Sequence, residues 1–304
     1  MITPHVTNET SRLCTVVLGL PDKQGPEPSI EQTYDAKSYD SVVKGIYPKE
    51  GDCKIEMQAV LEILNKYQVE VLRPSSLEDY NQVFARDVAF TIDDTLFVAN
   101  LIADRSRETE AFTDIFSQVG DHLELLPAPI RVEGGDVLLY DDILFVGTCP
   151  EGTFDSYKTA RTNRYAVDFL RDRFPHKTIV PIVLKKHDQN TAESVLHLDC
   201  AFQPVGTGKA IYYPKGFADQ ESKGVIEEIF GKSNLFAVTE EEAYYMNTNI
   251  FSISPSVVIS EQRFSRLNNH LQEEWGIQVE PVPYFEISKM GGLLRCSTMP
   301  IVRE

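Results

Sequence analysis

A short β-rich run, a tight polar turn and a second β-rich run occur together four times in this chain, each time opened by a polar residue. Asp87 begins one such pair, with Val88–Ile92 and Thr95–Ala99 on either side of Asp93-Asp94. Asp136 begins the next, with Val137–Tyr140 and Ile143–Gly147 around Asp141-Asp142. Asp199 opens the third, which turns at Gly206–Lys209, and Asn249 opens the fourth, which turns at Ser254-Pro255-Ser256. Such runs read as β-hairpins. The opening residues stand 49, 63 and 50 positions apart, and 47 further positions lead to Cys296. Between the hairpins, apolar residues fall at helical spacing over 56–67, 107–119, 161–174 and 264–275, each followed by a β-like run at 69–72, 122–126, 178–182 and 277–282. The N-terminal run 13–19 is the candidate for a fifth, degenerate unit. The unit is strand–strand–helix–strand, and about five of them predict one closed α/β domain over 1–304. An open α/β sheet whose hairpins merely look alike is the plain alternative. Packing, however, does not require a polar residue at the same point of every unit, and in a radial repeat those points converge near one axis.

Charge narrows the function classes. The chain has 304 residues with 29 Lys and Arg against 46 Asp and Glu, a formal net charge of −17. That balance argues against nucleic acid or an anionic membrane as partner and is compatible with a small cationic substrate. No apolar stretch approaches the ~20 residues of a membrane span, and Met1–Glu9 lacks the basic and apolar regions of a secretory signal. The five cysteines (Cys14, Cys53, Cys149, Cys200 and Cys296) are odd in number and contain no C-x-x-C pair. They fit a reducing cytoplasm better than a disulfide framework or a zinc knuckle.

Four motifs carry the chemistry: Phe84-Ala85-Arg86-Asp87, Glu133-Gly134-Gly135-Asp136, His197-Leu198-Asp199 and Arg295-Cys296. Taken singly, each has a bland explanation, as a core thiol, a satisfied histidine, a strand cap or a turn. Sharing one repeat frame, they supply a thiol, an imidazole and several carboxylates at one place. Cysteine reacts as its thiolate, and histidine shuttles protons near neutral pH. Gathered carboxylates are costly unless something positive fills them. A metal would call for more than one histidine at ligand spacing, and His197 stands alone. A planar guanidinium fits better, because its fork of donors matches carboxylates and its carbon is open to a soft thiolate.

Over roughly Asn8–Pro300 these motifs resemble the guanidino-modifying superfamily, which includes arginine deiminase, dimethylarginine dimethylaminohydrolase, agmatine deiminase and glycine amidinotransferase. The shared elements are F-x-R-D, E-G-G-D, H-L-D, the R-T-N of Arg161-Thr162-Asn163, and a near-terminal G-G-x-x-R-C. The resemblance implies a five-bladed α/β propeller of ββαβ units with pseudo-fivefold symmetry. It implies Cys296 as nucleophile, His197 as general acid/base, and Glu133 as the carboxylate partnering that histidine. Asp87 and Asp199 would grip the guanidinium, and Arg161 would reach a substrate carboxylate, with Arg295 a second candidate. Arg86, Asp136 and Asn249 are further candidate substrate-binding positions. Neither metal nor organic cofactor is expected, and a homodimer is a common assembly in the superfamily. The inserted helical domain of arginine deiminases has no room here, since 46 positions separate Asp87 from Glu133. That compactness is similar to the dimethylarginine hydrolases, Arg86 and Arg295 are similar to the deiminases, and the long loop Pro21–Gly51 is similar to that of the amidinotransferases. The expectation is therefore a hydrolase giving a ureido product, with amidino transfer to an amine as the alternative. Pro21–Gly51 and Cys149–Lys158 are the lid candidates. A carboxylate-rich site should also hold the Cys296 thiol above its usual pKa.

Overall fold

The computed structural model describes residues 1–304. The chain lays down strand β1 (Leu13–Leu18), then β2 (Glu70–Leu72). Four units follow: β3, β4 and β5 (Ala89–Ile92, Thr95–Val98, Leu123–Leu125); β6, β7 and β8 (Val137–Tyr140, Ile143–Thr148, Thr178–Val183); β9, β10 and β11 (Phe202–Val205, Lys209–Tyr212, Leu235–Ala237); β12, β13 and β14 (Phe251–Ser254, Val257–Glu261, Gln278–Val282). The last strand is β15 (Thr298–Arg303). They make five three-stranded sheets, each an antiparallel hairpin whose second strand pairs in parallel with the strand after the helix. This is the five-bladed α/β propeller that the repeat and the family resemblance implied.

The fifth sheet is assembled from both ends of the chain. β15 runs antiparallel to β1, from Leu13 opposite Arg303 to Leu18 opposite Thr298, and β1 pairs in parallel with β2. The run 13–19 is therefore the middle strand of a blade whose first strand arrives from the C-terminus. Ring closure is fastened on both sides of this blade. The Thr91 hydroxyl donates to the Pro300 carbonyl at 3.0 Å, and Arg303 Nη2 donates to the Ser252 carbonyl at 2.8 Å.

Local chemistry explains the hairpins. β3 and β4 are buried along their whole length, so they read as continuous apolar runs. Their two-residue turn places Asp93 at φ 53°, and the equivalent turn of the next blade places Asp141 at φ 51°. Aspartate tolerates this left-handed conformation because its short side chain bonds locally.

The helices depart from expectation in detail. Glu50–Lys66 starts earlier than the periodicity indicated, and Arg107–Val119 is divided at Phe112. The predicted 264–275 helix is α-helical only to Asn269 and continues as a π-turn through Glu274. Gln220–Phe230 is a helix that the sequence pattern did not single out. Its signals were the Asp219 cap on the Ser222 N–H and the apolar positions Val225, Ile226, Ile229 and Phe230. Within the long loop Pro21–Gly51, Ala36–Val43 is also helical, capped by Asp35.

One feature of the blades positions everything that follows. A single 3-10 turn precedes the first strand of three of them, at Ala85–Asp87, Gly134–Asp136 and Leu198–Cys200. These turns lie side by side at the axis, where the segments holding Asn249 and Cys296 join them. The Arg86 N–H donates to the Cys296 carbonyl at 3.0 Å, and the Arg295 N–H to the Asn249 carbonyl at 3.4 Å.

Candidate active site

Cys296 sits on the turn before β15 and is held by Asn249 of the neighbouring blade. The Cys296 N–H donates to Asn249 Oδ1 at 3.1 Å, while Asn249 Nδ2 donates to Cys296 Sγ at 3.2 Å. The thiol faces the carboxylate of Asp199, with Sγ 3.6 and 3.7 Å from its oxygens. Asn249, expected to touch substrate, is thus fully occupied in fixing the sulfur.

His197 lies in the same buried centre. Its Nε2 is 2.9 Å from Glu133 Oε2. Its Nδ1 has no hydrogen-bond partner, and neither has Asp87 Oδ1, 3.5 Å away. Both atoms are buried, and an unfilled buried polar atom is uncommon. The His197 side chain packs against Gly135: a Cβ there would come within 2.7–2.8 Å of its Cγ, Cβ and Nδ1.

The R-T-N motif divides its work among three contacts. Arg161 Nη1 donates to Glu133 at 2.9 and 3.2 Å, and Nη2 to the Tyr34 carbonyl at 2.9 Å. The Thr162 hydroxyl donates to Asp136 Oδ2 at 2.6 Å. Asn163 caps the helix Arg164–Arg173. Asp136 accepts the Leu198 N–H on its other oxygen at 2.9 Å. Asp136 thereby aligns the His197 loop through one oxygen and the R-T-N loop through the other.

Arg295 and Arg86 also contact the protein's own groups. Arg295 forms a buried fork with Glu9 at 3.0 and 3.1 Å, reaches Asp199 Oδ2 at 2.9 Å, and donates to the Val137 carbonyl at 2.8 Å. Four of its five N–H donors are thus engaged within the protein. Arg86 turns beneath the Cys296 loop, with Nε 3.4 Å from the Arg295 carbonyl and Nη2 unpartnered. Burial, and then the neighbouring Arg295 charge, pull Arg86 down to about 9.

Three participants escaped the sequence analysis. Arg105 grips Glu108 through Nε and Nη2 at 2.6 and 2.7 Å, donates to Asp87 Oδ2 at 2.6 Å, and lies 3.7 Å from Glu133. Its signal was weak: an Arg-x-x-Glu pair at helix-turn spacing, lost in a charged stretch. Glu9 lies outside every repeat motif. Cys200 follows Asp199 directly, and its Sγ donates toward Asp199 Oδ1 at 3.5 Å. The acidic cluster inferred from sequence is consequently an interleaved network, in which arginines of the protein already neutralise much of the carboxylate charge.

This network sets the proton affinities. The hydrogen bond from Cys200 favours the Cys296 thiolate, but burial and the charges of Asp199 and Asp87 outweigh it and raise the thiol above its ordinary value. Burial alone would lower His197; Asp87 and the Glu133 hydrogen bond overcome that and raise it. Glu133 is opposed by burial, yet Arg161 and His197 hold it well below the carboxylate range. Two triads bring donor atoms within 4.8 Å of one another: Asp87, Glu133 and His197, and Asp199, Cys200 and Cys296. In the first, the carboxylates are already ion-paired with Arg105 and Arg161.

Residues 21–49 cover this centre. Tyr34 offers its carbonyl to Arg161, and Ser38 and Ser41 donate to the carbonyls of Met290 and Lys289 at 3.0 and 2.8 Å. The second lid candidate, Cys149–Lys158, lies beside it, with the Lys158 carbonyl accepting from Arg161 Nε.

The family model for eukaryotic N,N dimethylarginine dimethylhydrolase matches residues 46–303. The chain belongs to this family, within the guanidino-modifying superfamily. A Bacillus subtilis protein, YkgA, is 30% identical over 247 residues, covering 80% of this chain and 78% of that protein. An arginine deiminase of Bacillus cereus is 25% identical over 266 residues, and the chain spans 62% of its length. The N-terminal domain of ArgZ, an arginine dihydrolase of cyanobacteria, solved covalently bound to a reaction intermediate, superposes with a TM-score of 0.79 at 19% identity. That superposition covers 95% of this chain and 98% of the ArgZ chain. Two of these three relatives are by name arginine-hydrolysing enzymes, and the ArgZ domain shares the fold described above.

Proposed function

We propose that this chain is a cysteine-dependent hydrolase of arginine or an N-substituted arginine, releasing ammonia or an alkylamine and leaving a ureido product. The observation carrying this reading is the pair of orphaned buried atoms, Asp87 Oδ1 and His197 Nδ1, in the buried centre where the Asp87 charge acts on the Cys296 thiol. A guanidinium there would donate to Asp87 Oδ1 and to Asp199, and present its carbon to the sulfur. Its positive charge would also favour the thiolate that burial opposes.

Cys296 then attacks the guanidinium carbon, and the C–S bond forms. His197, polarised by Glu133, protonates the departing nitrogen through Nδ1, and the C–N bond breaks. Water takes the vacated place, loses a proton to His197 and attacks the same carbon. The C–S bond breaks and the thiol is restored. General acid–base work of this kind contributes about 10²–10⁴-fold. Arg161 and Arg105, which edge the site, support a substrate bearing an α-carboxylate. Each would exchange one internal contact for the ligand. No cofactor enters this chemistry.

The test is a panel of arginine, methylarginines, agmatine and a peptidyl arginine, assayed for ureido product with and without glycine or ornithine. Ureido product from free amino acids without an acceptor is the expected result. Product appearing only with an amine would establish an amidinotransferase instead. Full turnover by Cys296→Ser would eliminate the covalent route.

A further inference from the structure

The proposed chemistry needs one thiol, yet two face the same carboxylate. Cys200 Sγ lies 3.5 Å from Asp199 Oδ1, and Cys296 Sγ lies 3.7 Å from that same oxygen. The two sulfurs and the carboxylate oxygen all fall within 4.8 Å of one another. A disulfide requires about 2.0 Å between sulfurs, so closing the link takes a shift of under about 3 Å between two side chains already in one cluster. Their surroundings differ. Cys200 lines a surface cavity of about 390 Å³ together with Asp35, Lys37, Leu196, Tyr213 and Tyr244, whereas Cys296 is buried and does not line this cavity. Cys200 therefore stands between solvent and the thiol beneath it. No step of the proposed hydrolytic cycle makes or breaks a bond at Cys200.

We propose that Cys200 and Cys296 form an oxidative modification site, in which a peroxide entering the cavity links the two sulfurs and so removes the nucleophile. Hydrogen peroxide transfers one oxygen to the Cys200 sulfur, giving a sulfenic acid and one water. The Cys296 sulfur then attacks the Cys200 sulfur, the S–O bond breaks, and the leaving hydroxide takes the Cys296 proton as a second water. The protein loses two hydrogens, and peroxide is the oxidant. A thiol arriving through the cavity reverses the change: it attacks Cys200, frees Cys296, and a second thiol completes the reduction. Disulfides of this kind in otherwise reduced proteins are transient and regulatory. The link itself depends only on the juxtaposition of the two sulfurs, while its effect on turnover rests on Cys296 being the nucleophile.

The experiment treats the full chain with hydrogen peroxide, blocks remaining thiols, and maps tryptic peptides without reductant. The expected product is peptide 187–209 joined to peptide 296–303, formed in step with loss of turnover and reversed by dithiothreitol. In Cys200→Ser, which keeps a donor to Asp199, peroxide inactivation, measured against that variant's own untreated turnover, becomes irreversible, because Cys296 proceeds to the sulfinic acid. Cys200→Ala, with its melting temperature compared, guards against a folding defect in either variant. Unlinked peptides in the inactivated wild-type protein, or equal reversibility in wild type and Cys200→Ser, would overturn the proposal. A linked peptide with unchanged turnover would uphold the site and instead refute Cys296 as nucleophile.

Discussion

Replacing Glu133 by glutamine keeps the shape of the side chain and removes one charge at the junction of three cationic groups. Glu133 accepts from His197 at 2.9 Å and from Arg161 at 2.9 Å, with Arg105 at 3.7 Å. Arg105 retains Glu108 and Asp87, but Arg161 loses its only carboxylate and keeps just the carbonyls of Tyr34 and Lys158. Stranding a buried charge costs about 3–5 kcal/mol, and the two carbonyls place Glu133→Gln near the lower end. At about 2–4 °C per kcal/mol for a large domain, melting should fall by roughly 6–12 °C. The effect on His197 is separable from this loss. A charged hydrogen bond exceeds a neutral one by about 1–1.5 kcal/mol, close to one pKa unit. Because His197 is raised in the folded protein, its stabilising contribution is complete below its unfolded value of about 6.5 and disappears as pH rises through the folded value. The same protonated imidazole serves as the acid for the leaving group, so kcat/KM should decline on the alkaline side as His197 deprotonates. In Glu133→Gln that decline should shift about one unit toward acid, and the alkaline loss of melting temperature should shrink with it. The assay is kcat/KM and thermal unfolding across pH for both proteins. An unmoved alkaline limb would refute the assignment of His197 and Glu133 as a coupled pair.

Asn249→Ala removes both sides of the clamp on Cys296 and leaves its buried N–H unpaired, at about 1–3 kcal/mol; alkylation of Cys296 should lose its single, uniform rate, which mass spectrometry can follow. Gly135→Ala should drive a methyl group into the His197 ring and cost about 1–3 kcal/mol, with kcat falling more than melting temperature. Arg161→Ala should raise KM for substrates carrying an α-carboxylate far more than for agmatine, and equal effects on both would count against its contact with that group. Exhaustive chelation should leave turnover unchanged, since none of the proposed steps uses a metal; loss of activity restored by a divalent ion would contradict the thiol mechanism.

Much of this architecture was legible in the chain because the information was local. Hairpins advertise themselves through short apolar runs and polar turns, and five similar units can bury their faces only by closing on one another. The same repeat placed Asp87, Glu133, His197, Asp199 and Cys296 at one centre, because each lies just before or at the opening of a blade. Gln220–Phe230 was missed because Gly224 interrupts a short amphipathic stripe, although its aspartate cap was visible. The division of labour among the polar residues was not local. Arg86, Arg295, Asp136 and Asn249 have the composition of substrate contacts, but each also binds a partner 47 to 286 positions away within the protein. Arg105, Glu9 and Cys200 gained significance only through proximity. A sequence determines which groups each blade carries to the axis; ring closure by β15 on β1 determines which of them meet. Once buried together, every charge must find a counter-charge or a hydrogen bond, so the atoms left without one are those that the tertiary structure alone could reveal.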